Sequence, residues 1–331
     1  MYHRSKGLTF QAALRDIEAS RPADRVAAAE VLSSAQSEEE HAQAFAALAA
    51  ATGDTRPEVR STACVALAEL EQEQAWEIIS LCLSDAVPEV RQCAAIALGS
   101  LGAKEAFPPL LEALQTGPVD LRFQAASSLV EVDLEAAYQP LLDALAEETD
   151  AEVIGAIALS LGAIGNRACA DQLADLLEHH TATTRMDAAY ALAQLSDPRA
   201  LEQLAAALPD ADGGWDAAMA LEELGELATD ALGDFLAGSK GAPRVRIRAA
   251  GALLSLSPAH RRSDAARHIL CEALRNRKLE LRGLALQELS KVGGPWALAP
   301  LRALQRSFRG RSMSDEIAEV LAALEEGETK S

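Results

Sequence analysis

The sequence predicts an all-α fold, a solenoid of nine or ten helical hairpins stacked one on the next, and three observations carry that expectation. A leucine recurs as Leu32, Leu67, Leu98, Leu129, Leu161, Leu192, Leu221, Leu253, Leu289 and Leu321, at separations of 35, 31, 31, 32, 31, 29, 32, 36 and 32 residues. A period that constant marks repeated supersecondary units. Hydrophobic residues fill 49% of the 331 positions while aromatics fill only 4%, so the apolar material is mainly alanine and leucine, which suits close-packed helices better than strands. Proline, glycine and acidic residues fall between the leucine-bearing segments with the same period, where helices would begin and end.

Along the chain, residues 8–19 place Phe10, Ala13, Leu14 and Ile17 on one helical face, which reads as a capping helix ahead of the repeats. The first unit follows, with one helix through residues 24–32 and a second through 38–51. Later units open their first helix beside a turn residue and an acid, as in Pro57-Glu58 and Pro88-Glu89. Proline has the φ a first turn needs, and a carboxylate there meets the positive end of the helix dipole. That helix ends about a dozen residues later, often at a glycine (Gly102, Gly165, Gly225 or Gly293) able to take the left-handed conformation of a helix terminus. The second helix runs through stretches such as 106–114 and 200–208. Residues 210–215 make the least regular join, where a bend or looser stacking is expected.

An array of equal units can run on without internal boundaries. One continuous body is therefore expected over residues 1–331: a cap at 1–20, acidic repeats at 21–238, basic repeats at 239–312, and a C-terminal cap with an acidic tail at 313–331. The formal net charge of −20 conceals this division. Residues 239–312 hold 16 Lys and Arg against 4 Asp and Glu, a net of +12, and the rest of the chain holds 14 against 46, a net of −32. The acidic majority argues against non-specific binding of nucleic acid by the whole molecule.

Residues 89–114 read as an acid followed by Val-Arg-x-x-Ala-Ala-x-Ala-Leu-Gly-x-Leu-Gly, then a second segment with Ala, Leu, Ala and Leu at helical spacing. The pattern resembles the short HEAT-like repeat found in phycobilisome lyases, and the likeness runs over roughly residues 21–325. The resemblance implies a right-handed α-α superhelix whose Val-Arg helices line the concave side. It also implies that the arginine after the valine joins a ladder of hydrogen bonds with acids of adjacent repeats. That position reads Arg25, Arg60, Arg91, Arg122, Ile154, Arg185, Gly214, Arg246 and Arg282. Arg25, Arg60, Arg91, Arg122 and Arg185 are the expected ladder, and the arginine is lost in the fifth and seventh units.

Counting from Val90 as zero at 100° per residue, positions 0, 4, 8 and 11 share one side of the first helix and positions 2, 6 and 9 lie opposite. The first set is expected to pack and the second to face the groove. Across units the second set includes Phe123, Leu159, Met186, Tyr190, Trp215, Met219 and Ile247. A face meeting only water would be polar; an apolar one rimmed by charge marks a binding surface, and aromatics and Met are enriched in interface cores. The competing reading is that these side chains fill gaps between neighbouring helices, and the sequence leaves both open.

The basic stretch supplies a second candidate surface. Arg244, Arg246 and Arg248 alternate, Arg275, Arg277 and Lys278 cluster in a turn with Arg282 behind them, and Arg302, Arg306, Arg309 and Arg311 follow. Such density attracts anions. Few aromatics interleave with these arginines, so an acidic protein surface is expected ahead of nucleic acid; the alternative is charge balance against the acidic remainder.

No catalytic signature is present. There is no HExxH, no His-Glu pair, no Gly-rich phosphate loop and no nucleophile elbow. His179 and His180 are adjacent, hence about 100° apart on a helix, and read as a solvated terminus rather than a metal site. Cys64, Cys82, Cys93, Cys169 and Cys271 form no CxxC pair or disulfide framework. Residues 1–6 carry basic side chains with no apolar run after them, and no stretch of 18 apolar residues occurs, so a cytoplasmic protein without a membrane span is expected. The expectation for function is a non-catalytic scaffold or adaptor that binds a protein partner through its groove and basic repeats, without metal or cofactor. One branch of the resembling family implies the alternative, a lyase-like or chaperone-like subunit acting on a chromophore-bearing or otherwise modified protein. DNA glycosylases built on similar repeats bind through a basic surface, and the acidic first 238 residues disfavour that branch.

Overall fold

The leucines that set the period are interior: Leu32, Leu67, Leu98, Leu129, Leu161, Leu192, Leu221, Leu253 and Leu289 have no exposed surface, and Leu321 is 7% exposed. Burying each contributes roughly 1.5–3 kcal/mol. The computed structural model describes residues 8–72, 74–238 and 240–328. The basic residues before position 7, Ser239 at the head of the basic stretch and the last three residues of the tail lie outside that set. The described residues form twenty α-helices and no strand, an all-α solenoid of hairpins. Contacts divide the chain into two units, residues 1–164 and 165–331.

The first unit comprises α1 (Phe10–Asp16), α2 (Pro22–Leu32), α3 (Glu38–Ala51), α4 (Pro57–Glu69), α5 (Ala75–Leu81), α6 (Pro88–Leu101), α7 (Phe107–Thr116), α8 (Val119–Val132), α9 (Leu134–Glu147) and α10 (Ala151–Ile164). The leucine-bearing helices α2, α4, α6, α8 and α10 pack each against the next, and the intervening helices return the chain behind them. Small residues make the close stacking possible: Ala63, Ala94, Ala95, Ala125 and Ala126 are fully buried along it. Pro22, Pro57 and Pro88 stand at the first position of their helices, with Asp24, Glu58 and Glu89 in the first turn. Gly102 ends α6 at φ 65°, a conformation that costs a side-chain-bearing residue steric strain.

The second unit comprises α11 (Ala170–Asp175), α12 (Ala182–Gln194), α13 (Leu201–Ala207), α14 (Gly214–Glu223), α15 (Thr229–Ala237), α16 (Pro243–Leu256), α17 (Ser263–Leu274), α18 (Leu279–Val292), α19 (Pro295–Arg306) and α20 (Ser314–Glu328). Here α12, α14, α16, α18 and α20 form the stack. The irregular join at 210–215 resolves into a short α14 of 10 residues begun by Gly214, whose Cα faces the Leu208 carbonyl with no room for a Cβ. Gly293 departs from expectation. Its φ is −66°, so it does not end α18 in the left-handed region. It is required there for closeness, because a Cβ would press on the Leu289 carbonyl and on Leu324. Among the described residues no helix is long and apolar enough to cross a membrane.

Candidate partner-binding surfaces

In the first unit the arginine after the valine position ties each hairpin to the one that follows. Arg25 grips Asp54 through Nε and one terminal nitrogen at 2.7 and 2.8 Å, and its other terminal nitrogen donates to the Ala19 carbonyl at 2.8 Å. Arg60 holds Asp85 at 2.6 and 2.7 Å. Arg91 holds Asp120 at 3.1 and 2.8 Å, and Arg122 holds Glu148 at 2.8 and 3.0 Å. These are bidentate forks, the geometry for which a planar guanidinium is suited. The carboxylates in turn fix their loops: Asp54 accepts from the Arg56 N–H, Asp85 from Val87, and Glu148 from Thr149 and Asp150. Hydrogen bonding from Arg122 pushes the Glu148 carboxyl down to about 2. Arg25 and Arg60 hold Asp54 and Asp85 below the usual carboxylate range in the same way.

Arg185, in the second unit, donates instead to the carbonyls of His179 and His180 at 2.8 and 3.2 Å. His179 takes over the aspartate's loop contact, its Nδ1 accepting from the Thr181 N–H at 3.2 Å. The two departures from the ladder, Ile154 and Gly214, are both buried.

The apolar candidates divide by exposure. In the first unit Phe123 and Leu159 are 42% and 36% exposed, and Ile96, at the position equivalent to Leu159, is 44% exposed; the three lie on the successive helices α6, α8 and α10. In the second unit Met219 is exposed, while Met186, Tyr190 and Trp215 are half-buried. Burial and the nearby Asp216 and Asp187 raise the Tyr190 hydroxyl above its ordinary value. Ile247, expected to point outward, is 2% exposed. One turn further along α16 on the same face, at Gly251, a Cβ would overlap the Glu288 carboxylate of α18. There the Glu288 side chain covers the face that was predicted to be open.

The basic candidates divide in the same way. Arg244, Arg275, Arg277 and Lys278 are exposed. Arg246 caps the end of α15, donating to the Leu236 and Gly238 carbonyls at 2.9 and 2.6 Å. Arg282 is buried and donates to the carbonyls of Asn276 at 2.9 Å, Arg277 at 3.1 Å and Arg309 at 3.3 Å. Arg248 is buried as well, paired with Glu222 and Glu288. These three were expected to be available to a partner; Arg246 and Arg248 are used inside the fold, and Arg282 is buried with its Nε unmatched. The sequence did carry a signal for the Arg248 cluster: Glu288 occupies a position that is Val31 in the first unit and Ala or Ser in the next seven, at Ala66, Ala97, Ser128, Ser160, Ala191, Ala220 and Ala252. A lone charge in a small-residue slot requires a buried counter-charge.

Among the described residues no three His, Cys, Asp or Glu side chains gather to hold a metal. All five cysteines are free, and Cys64, Cys82 and Cys169 are buried.

Residues 77–162 and 138–225 match the family model of HEAT repeats. These are HEAT repeats. Among solved structures the chain is similar to yeast importin-beta (Kap95p) at a TM-score of 0.64 and 14% identity, covering 91% of this chain and 47% of that one. It is similar to an importin beta crystallised in ammonium sulfate at a TM-score of 0.59 and 14% identity, covering 95% and 50%. The chain thus spans about half the length of these importin-beta structures. It is also similar to the CpcE–CpcF phycocyanin lyase complex of Nostoc sp. PCC7120 at a TM-score of 0.40 and 22% identity, covering 81% and 96%. At such identities the importin-beta likenesses speak to the fold alone. No curated protein matches the sequence.

Proposed function

We propose that the chain is a non-catalytic adaptor that binds a protein partner bearing an acidic surface. The observation that carries this reading is the set of exposed cations in the basic repeats that no carboxylate of the fold neutralises. Arg277, Lys278, Arg309 and Arg311 are exposed, and none of them is ion-paired with a carboxylate among the described residues. Beside them Phe308 is 81% exposed, with the Arg311 guanidinium 5.3 Å from its ring centre. An exposed aromatic among arginines is the composition that interface hot spots favour. The open apolar side chains of the first unit, Ile96, Phe123 and Leu159, supply further contact area. HEAT solenoids present such side chains on a stacked frame, so binding needs no ordering of the scaffold.

An affinity capture from the native cell tests this reading, comparing the wild-type chain with R277S/K278S/R311S and with F123S/L159S. A protein partner is expected to bind the wild type, to be released as salt rises, and to be lost from the charge variant. A pigment that co-purifies with the chain, or a partner held equally by both variants, would overturn the assignment.

A further inference from the structure

We propose that the Arg282 guanidinium is a carboxylate-binding fork that receives an acidic side chain from the partner protein. The inference rests on the acidic-partner reading and names the atoms that would do the recognising. Four arginines at the same repeat position each present Nε and one terminal nitrogen to a carboxylate 25 to 29 residues further on. For Arg282 that interval reads Ser307-Phe308-Arg309-Gly310-Arg311, with no acid in it.

The guanidinium is nevertheless held in the ladder orientation. Its first terminal nitrogen donates to the carbonyl six residues back, Asn276 at 2.9 Å, as Arg25 does to Ala19, Arg60 to Asp54 and Arg91 to Asp85. The half of the fork that meets a carboxylate in the other repeats is poorly served. Arg282 Nε is buried with no hydrogen-bond acceptor, and the adjacent terminal nitrogen has only the 3.3 Å bond to the Arg309 carbonyl. A buried donor left unmatched is costly, and a carboxylate satisfies both nitrogens at once with opposite charge.

The surroundings favour the same ligand. Arg282 holds the carbonyls of Arg277 and Arg309, and on those two turns Arg277, Lys278, Arg309 and Arg311 are exposed with no carboxylate partner among the described residues, with Phe308 exposed in the second turn. The ligand is therefore an acidic segment with an apolar residue next to the acid. It lies along the turn at residues 307–311 and exchanges the long bond to the Arg309 carbonyl for its own carboxylate.

Fluorescence anisotropy of the full chain with a labelled peptide of Asp and Glu residues around one Leu tests the proposal. The wild type is expected to bind the peptide, and R282K, which keeps the charge and loses the fork, to bind about tenfold more weakly. R91K, whose fork already holds Asp120, is expected to bind as the wild type does. R309D places an acid in the ladder interval and is expected to raise the unfolding temperature while weakening the peptide more than R306D, which makes the same change of charge on α19. That pair keeps the test decisive if R282K folds poorly. A wild type that ignores the peptide would sink the acidic-partner reading and this proposal with it. Equal binding by the wild type, R282K and R309D, or displacement by inorganic phosphate at the peptide's own concentration, would overturn the fork alone.

Discussion

Arg248 lies between Glu222 and Glu288, hydrogen-bonded to both and 3.1 Å from the latter, so that one buried guanidinium ties α14, α16 and α18 together. Glu288 is 2% exposed, and burial holds its carboxyl above the usual range despite the cation. Replacing Arg248 with Met leaves that buried carboxyl with only Lys291, 3.6 Å away, and is expected to cost about 3 kcal/mol. The double variant R248M/E288L removes both charges and is expected to lose less than R248M alone. Urea denaturation of the three proteins measures the coupling.

Glu148 gives the ladder a signature in acid. Its carboxyl titrates at about 2 in the fold against an ordinary value of 4.5. The unfolded chain therefore binds the proton first, and the contribution of this rung is fully present above about pH 4.5 and is lost as pH falls toward 2. The full contribution is about 3 kcal/mol. E148Q should flatten the acid limb of a plot of unfolding midpoint against pH and lower its plateau near neutrality.

At Gly251 the Glu288 side chain of α18 fills the space that a Cβ would take on α16. G251A forces the Glu288 carboxylate aside and is expected to destabilise by about 1–3 kcal/mol, the usual range for overfilling a packed site. A thermal melt is sufficient to see it, and an unchanged melt would mean that the cluster tolerates displacement.

Phe123 and Ile247 occupy equivalent repeat positions with opposite exposure, 42% and 2%. F123S should change stability by no more than about 0.5 kcal/mol, whereas I247S empties a buried site and should cost about 2–5 kcal/mol. Chemical denaturation of the two variants side by side decides whether one helical angle has two fates along the same chain.

That pair also shows what a single sequence conveys about such a fold. The recurring leucines, Pro57 and Pro88 at helix starts and Gly102 at a helix end are set by backbone geometry within one hairpin, and the structure places each as its neighbours in sequence require. The spacing of Arg25, Arg60, Arg91 and Arg122 was equally plain. The burial of Ile247, Arg248 and Arg282 depends on what the next hairpin brings against their helices, such as the Glu288 side chain at Arg248 and Gly251 and the Arg309 carbonyl at Arg282. A helical wheel contains neither. Glu288 was the visible clue, a charge in a row of alanines and serines.

In every rung of the first unit the arginine belongs to the earlier hairpin and the carboxylate to the later one, so the stack has a chemical direction. A fragment cut just before Asp120 would end in the bare guanidinium of Arg91, and a fragment beginning at Asp120 would start with the matching carboxylate. The two faces are complementary rather than alike. Such pieces would associate head to tail, one of each, restoring the rung, and neither would pair with a second copy of itself through that face.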